Sequence, residues 1–301
     1  LLLNISKHYL IFRKEEGGKL RRRLRKILSE VLPKDEVLYV YNSYDIVGDI
    51  AILRLTEKAM KHSQIIAEAL MGVHKNVKTV LAQTGPVLGD FRIRKLEHLA
   101  GENKTVTVHR ESGCLFRVDV GKCYFSPRLF YERMRIAKQV GDGEVVVNMF
   151  AGVGCFSIVM AKHSNVGKVY SIDVNPTAFQ YMQENVRLNR VYGKVIPLLG
   201  DAKEIIKERL CHVADRVLMP LPEKALEYLP YALLALKKTG LIHYYDFEHA
   251  RKGENPIEKV KWKVAEKLKD LSVAFDFSFG RIVRSTGPNW YQIALDITIK
   301  Q

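Results

Sequence analysis

Phe150-Ala151-Gly152-Val153-Gly154 is the stretch most able to do chemistry, together with the carboxylates Asp173 and Asp201. The two glycines let a backbone pass close to a ligand with no Cβ in the way. The acid at 173 is spaced to accept hydrogen bonds from ribose hydroxyls. The dinucleotide fingerprint needs a third glycine three residues on, and Ser157 stands there. No Gly-Lys-Ser or Gly-Lys-Thr cradles a phosphate. The turn therefore suits a ligand carrying adenosine but no pyrophosphate, with S-adenosyl-L-methionine the leading candidate. A plain α/β turn that needs glycines only for packing is the alternative; the timing of Asp173 and Asp201 favours the ligand.

These residues need a frame. The run Val145-Val146-Val147 predicts a buried strand before the turn. A helix is expected over 155–162, a second strand over 168–172 ending in Asp173, and a helix from Asn175-Pro176 to 189. The third strand, 195–199, ends at Gly200-Asp201-Ala202, and a fourth, 216–219, stops at Pro220-Leu221-Pro222. A helix over 224–237, a strand over 241–247, a helix over 257–269 and a closing antiparallel pair, 281–284 with 290–298, complete the pattern. Alternating strands and helices predict an α/β fold with a mostly parallel, doubly wound sheet, the ligand lying at the carboxyl ends of its strands. Gly152, Asp173, Asp201 and Pro220 all fall at such ends.

Before this frame the pattern differs. A basic amphipathic helix is expected over 19–32, where Lys19, Arg21, Arg22 and Arg23 could touch phosphates or simply be solvated. Strands are expected over 38–41 and 50–55, joined by 44–49, then a helix over 61–71, a strand over 77–81, a Gly-Pro loop over 84–89, and an antiparallel pair, 105–109 with 114–120. The expected division is a remnant or linker at 1–16, a small α+β domain at 17–117, and the α/β domain at 118–301. Tyr124-Phe125-Ser126-Pro127-Arg128-Leu129 is the hinge, and Ser126-Pro127 starts a helix expected to reach 140. On it Glu132 follows Arg128 by one turn, a spacing that on its own reads as an ordinary ion pair on a surface helix.

The 301 residues are 47% hydrophobic and 27% charged, which places the chain among globular proteins. Its formal charge of +15 points to a polyanionic partner, nucleic acid before membrane. No apolar run is long enough to span a bilayer and no signal peptide is visible, so a cytoplasmic home is expected. Four scattered cysteines and nine scattered histidines give neither a metal site nor a disulfide framework. The first residue is Leu, so the chain is expected to begin inside a longer product.

Taken together, VVVNMFAGVG, DVNP, GDA, the Pro-rich turn after RVLM and GLIHYYDF resemble class I (Rossmann-like) S-adenosylmethionine-dependent methyltransferases. With YFSPRL and GPNWYQIALDI the resemblance narrows to archaeal and eukaryotic tRNA (guanine-37-N1)-methyltransferases, over residues 40 to 301. It implies tRNA, held at its anticodon loop by a small RNA-binding domain, as partner, with no membrane and no metal; a monomer is expected. It implies Glu132 as general base, Arg128 positioning that region, Arg92 on the guanine oxygen, and Tyr124 beside the target base. For the cofactor it implies Phe150, Ala151, Gly152, Gly154, Asp173, Val174, Asn175, Asp201, Ala202 and Pro220, with Pro220 and Pro222 also facing the base. Asn148 stands where the family commonly has Asp, and Pro220 where most members have Asn. Some archaeal members altered here also methylate carbon 7 of 4-demethylwyosine, so a dual activity is open. A wyosine-pathway aminocarboxypropyl transferase on the same fold, and a non-catalytic RNA-binding protein on this scaffold, are the competing readings.

Overall fold

The computed structural model describes residues 26, 28, 29, 32–89 and 91–300. The segment 1–16, most of the basic helix expected over 19–32, and Lys19, Arg21, Arg22 and Arg23 lie outside the described residues. The described residues divide into two compact units: the first holds those up to His109 and Asp119–Gly121, the second Arg110–Val118 and those from Lys122 onward.

The first unit is built on a four-stranded sheet in the order β1-β2-β3-β4. The strands are β1 (Val40–Val47), β2 (Ile50–Leu55), β3 (Thr79–Leu88) and β4 (Ile93–Gly101). Two short helices, α1 (Lys34–Val37) and α2 (Glu57–Met60), precede α3 (Ser63–Val73), which buries Ile66, Ala67 and Leu70 against the sheet. Three expectations need correction. The segment 44–49 is not a joint, because β1 continues to Val47 and only Gly48 and Asp49 separate it from β2. The Gly-Pro segment is not a loop, because β3 runs through it to Leu88. Its pairing with β4 is irregular between Gln83 and Val87, which is where a proline lacking an N–H can be carried. The strand β4 itself went unread.

The hairpin of β5 (Val106–Glu111) and β6 (Cys114–Asp119) contains the boundary between the two units. Within the second unit a 3₁₀ turn, Pro127–Leu129, leads into α4 (Phe130–Ala137), which stops three residues short of the expected end. The seven-stranded sheet has the order β12-β13-β11-β10-β7-β8-β9. Its strands are β7 (Val145–Asn148), β8 (Lys168–Asp173), β9 (Val195–Leu199), β10 (Ala214–Met219), β11 (Leu236–His249), β12 (Ala274–Gly287) and β13 (Trp290–Lys300). β9, β8, β7, β10 and β11 are parallel, and β13 is antiparallel to both its neighbours. Winding out from β7 in both directions puts the switch point between β7 and β10, where a ligand crevice forms.

The helices are α5 (Cys155–His163), α6 (Pro176–Leu188), α7 (Ala202–Arg209), α8 (Pro222–Ala235) and α9 (Pro256–Asp270). The expected doubly wound α/β fold is present. The helix α7 was missed, although Asp201 and Glu204 stand at capping-box spacing. Likewise β11 begins directly after α8 at Leu236, not at 241, and β12 starts seven residues before the expected 281 and ends three after the expected 284, parted from β13 only by Pro288 and Asn289. The alternation Phe275-Asp276-Phe277, with both rings packed on the core, was the unread signal for β12. Buried Val147, Val217, Ile242, Leu295 and Ile297 form the centre of the sheet.

Candidate active site

The end of β7, the glycine turn and the end of β8 form one hydrogen-bonded unit. Asp173 receives the Gly152 N–H at 2.6 Å on one carboxylate oxygen and the Asn175 N–H at 3.0 Å on the other. Burial pushes its carboxyl up, and those two N–H groups offset part of the effect. Each oxygen keeps a lone pair for a further donor such as a ribose hydroxyl. Asn175 caps α6, its Oδ1 accepting from Thr177 N–H at 2.9 Å, while its Nδ2 donates to the Lys122 carbonyl at 2.9 Å. It thereby fastens the segment before Tyr124 to the tip of β8.

The two glycines differ in what surrounds them. Gly154 caps α5 with φ of 91°, and a Cβ there would meet Ile158 and Met182 at 3.1 Å. Gly152 has φ of 56°, and a Cβ there would face open space, its nearest neighbour being the Tyr124 carbonyl at 3.8 Å. Gly154 is needed for packing; Gly152 leaves room for a ligand. At the end of β7 Asn148 is buried, donating to Ser157 Oγ at 3.1 Å while its Oδ1 has no hydrogen-bond partner. Val174 is 46% exposed and Leu199 49%, an apolar rim at the tips of β8 and β9. Asp201 caps α7 through Lys203 N–H at 2.9 Å and receives the Tyr228 hydroxyl at 3.0 Å on both oxygens. Tyr228 stands edge-on to Phe150, ring centroids 5.2 Å apart. Ala151 bonds back to Ile172 O at 2.8 Å, fixing the turn against β8. A ribose acceptor, a vacant floor, an apolar rim and one orphaned buried acceptor fit an adenosine carrying a cationic tail.

Of the other named residues, Ala202 is buried at the start of α7, and Pro220 and Pro222 bracket Leu221 between β10 and α8. Tyr124 is half-buried in the segment before α4, and Arg128 is exposed. Arg92 belongs to the first unit, where its φ of 53° is in the left-handed region that non-glycine residues rarely adopt.

Glu132 is 1% exposed on α4 and is no surface ion pair. Its Oε1 accepts from Arg135 Nε at 2.6 Å and from the Tyr245 hydroxyl at 3.1 Å. Burial, then the charge of Glu132, keeps the Tyr245 phenol protonated far above its ordinary range. Glu132 Oε2 is buried with no hydrogen-bond partner, and Arg281 Nη1 faces it at 3.8 Å. The helix is locked in place by the next residue: Arg133 forms a bidentate pair with Glu111 at 2.6 and 2.5 Å and donates to the Ser126 carbonyl at 3.1 Å. Beside it the rings of Phe130 and Tyr131 are exposed, and the Arg281 guanidinium lies 5.7 Å from the Tyr131 centroid. Sequence reasoning missed Tyr228, Tyr245, Arg281 and Asp296. The available signal for Asp296 was an acid set in the apolar run Ile293-Ala294-Leu295-Asp296-Ile297.

Among the described residues no group of three or more His, Cys, Asp or Glu side chains is placed to hold a metal ion, and no helix is long and apolar enough to cross a membrane.

Residues 107–274 match the family model described as TRM5/TYW2 methyltransferase domain, and residues 24–105 match the TYW2 N-terminal domain. The tRNA (guanine(37)-N(1))-methyltransferase Trm5b of Pyrococcus abyssi is 40% identical, over 89% of this chain and 78% of the relative. The tRNA 4-demethylwyosine(37)-methyltransferase Taw21 of Saccharolobus solfataricus is 38% identical over 86% and 94%, and a tRNA(Phe) (4-demethylwyosine(37)-C(7)) aminocarboxypropyltransferase of Methanocaldococcus jannaschii 34% over 84% and 96%. Among solved structures, the Trm5b crystal structure from Pyrococcus abyssi superposes with a TM-score of 0.80 at 39% identity, covering 90% of this chain and 78% of that one. A complex of aTrm5 with tRNALeu also gives 0.80, at 36% identity, covering 96% and 81%. With more than half its length matched by one family model, the chain belongs to the TRM5/TYW2 methyltransferase family.

Proposed function

We propose that this protein is an S-adenosyl-L-methionine-dependent tRNA methyltransferase that methylates N1 of guanosine 37, beside the anticodon. The observation that carries the reading is the carboxylate of Glu132. One oxygen is saturated by Arg135 and Tyr245, while the other is buried and not hydrogen-bonded. S-adenosyl-L-methionine supplies an electrophilic methyl group on a sulfonium. Asp173 would hold its ribose, Phe150, Val174 and Leu199 its adenine, and Asn148 Oδ1 its ammonium, with Gly152 leaving the floor open.

Guanine N1 carries a proton, so its lone pair becomes nucleophilic only as that proton leaves. Glu132 Oε2 takes the proton, a role that typically contributes about 10²–10⁴-fold. Oε1 stays anchored, so the carboxylate does not rotate away as it becomes neutral. Negative charge grows on O6 as N1 loses its proton, and a guanidinium there stabilises it; the family resemblance gives that role to Arg92. The target base must leave the loop stack, and Tyr124 is the aromatic offered to it. The basic charge of the chain and the structural relative bound to tRNALeu support tRNA as the substrate.

A second reading has an observation of its own. Residues 24–105 match the TYW2 N-terminal domain, and an aminocarboxypropyl transferase is among the relatives. Incubation with labelled S-adenosyl-L-methionine and two tRNA(Phe) samples, one with guanosine and one with 4-demethylwyosine at position 37, separates the cases by nucleoside mass. Methyl on guanosine is the expected product. Methyl on both nucleosides adds the 4-demethylwyosine methylation that the name of the Saccharolobus relative gives. An aminocarboxypropyl adduct, or no product, overturns the proposal.

A further inference from the structure

We propose that Asp296, with His243 behind it, is a positioning residue for proton transfer at Glu132 and acts through Arg135. The inference rests on the reading of Glu132 as the base. Arg135 sits one turn after Glu132 on α4. It gives Nη1 and Nη2 to the two oxygens of Asp296, at 2.6 and 3.0 Å, and Nε to Glu132 Oε1 at 2.6 Å, with Nη2 also 2.6 Å from that oxygen. A planar fork gripped on both prongs has its third direction set. Asp296 therefore determines where the Arg135 Nε–H points, and so how the Glu132 carboxylate lies.

Asp296 is held in turn. It is 2% exposed, and Gln139 Nε2 reaches its Oδ2 at 3.2 Å. His243, fully buried, stands opposite it in the β11–β13 register, with Nδ1 2.6 Å from Asp296 Oδ1. The other ring nitrogen, Nε2, lies 2.7 Å from Arg216 Nη1. A guanidinium offers only donors, so Nε2 must accept and the proton must sit on Nδ1, donated to Asp296. The imidazole is thus neutral and of fixed tautomer, as its burial also favours. Arg216 is clamped by both Glu144 oxygens, at 2.7 and 3.0 Å, and by the Gln139 carbonyl at 2.8 Å. An unbroken chain, Glu132–Arg135–Asp296–His243–Arg216–Glu144, crosses the sheet.

Stability alone does not account for such a chain, because apolar side chains of equal volume usually hold a core as well as buried ion pairs do. Its functional consequence is at Glu132. That residue faces Arg135 on its own helix, Tyr245 from β11 and Arg281 from β12. Asp296 draws Arg135 into a second pair, so the guanidinium charge is divided and does not fall wholly on the base.

The test is a double-mutant cycle on single-turnover methyl transfer to tRNA at saturating cofactor. Asp296→Asn is expected to slow transfer about tenfold or more, with the cofactor and tRNA Kd values within about twofold of wild type. In a Glu132→Gln background the same change is expected to cost less than about twofold, since the group it acts on is gone. Arg135→Lys keeps the charge but cannot bridge both carboxylates; it is expected to show the same dependence, and it carries the test if Asp296→Asn does not fold. Equal loss in both backgrounds, or loss of binding in step with rate, shows a merely structural role and overturns the inference while leaving Glu132 as base. A Glu132→Gln enzyme as fast as wild type overturns the base reading itself.

Discussion

Alanine at Gly152 and alanine at Gly154 distinguish a ligand floor from a packing turn. Gly152→Ala places a Cβ in open space at φ of 56°, so the fold bears only the left-handed backbone penalty, about 1–2 kcal/mol. For a unit of this size each kcal/mol moves Tm by about 2–4 °C. Gly154→Ala bears a similar penalty and also presses on buried Ile158 and Met182 at 3.1 Å. Overpacking of that kind adds about 1–3 kcal/mol. Gly154→Ala is thus expected to lower Tm by about twice as much as Gly152→Ala. The order reverses for cofactor affinity. If Gly152 is the floor proposed for the cofactor, the new methyl takes up that space, and the Kd for S-adenosyl-L-methionine is expected to rise about tenfold or more, equivalent to about 1.4 kcal/mol. Differential scanning calorimetry gives the first ranking and titration calorimetry the second. A Gly152→Ala protein that stays folded and binds the cofactor with unchanged Kd refutes the assignment of this turn as the floor of the site.

Two further predictions concern the supports of the site. Asn175→Ala removes the cap of α6 and the bond to the Lys122 carbonyl, at an expected cost of about 2–3 kcal/mol; Asn175→Asp, which keeps the cap alone, recovers part of the loss in a urea titration, and equal loss in both would show that the cap contributes nothing. Burial alone would raise the Asp296 carboxyl, but hydrogen bonds from His243 and Arg135 and the charge of Arg135 outweigh it and hold it below the ordinary 3.8. A carboxyl lowered in the folded state stabilises the fold above that ordinary value, and the contribution is lost as pH falls through the lower folded one. Asp173, pushed up by burial, has the opposite sign: its contribution is present below 3.8 and lost as pH rises through its raised value. Stability measured from pH 6 down to pH 2 is therefore expected to fall less steeply in Asp296→Asn than in wild type; parallel curves would show that Asp296 is not held by the chain.

The sequence by itself determined the second unit's framework: the β-branched run into Phe150-Ala151-Gly152, the acid closing the next strand, and the alternation that forces a doubly wound sheet. These signals are local, because strand, turn and cap chemistry act over a few residues. It also singled out Glu132, but only through a family pattern, since i, i+4 spacing alone cannot tell a buried carboxylate from a solvated one. What lies around Glu132 was decided by tertiary structure. Tyr245, Asp296 and Arg281 are 113, 164 and 149 positions away along the chain, and sheet order and register alone bring them to α4. The β11–β13 register sets His243 opposite Asp296, where a slip of one residue would turn every side chain to the other face. The same limit applies to Asp201: it was legible as an acid at a strand end, and its spacing to Glu204 signalled the cap of α7, but its use as the acceptor for Tyr228 became visible only when α8 was folded beside it.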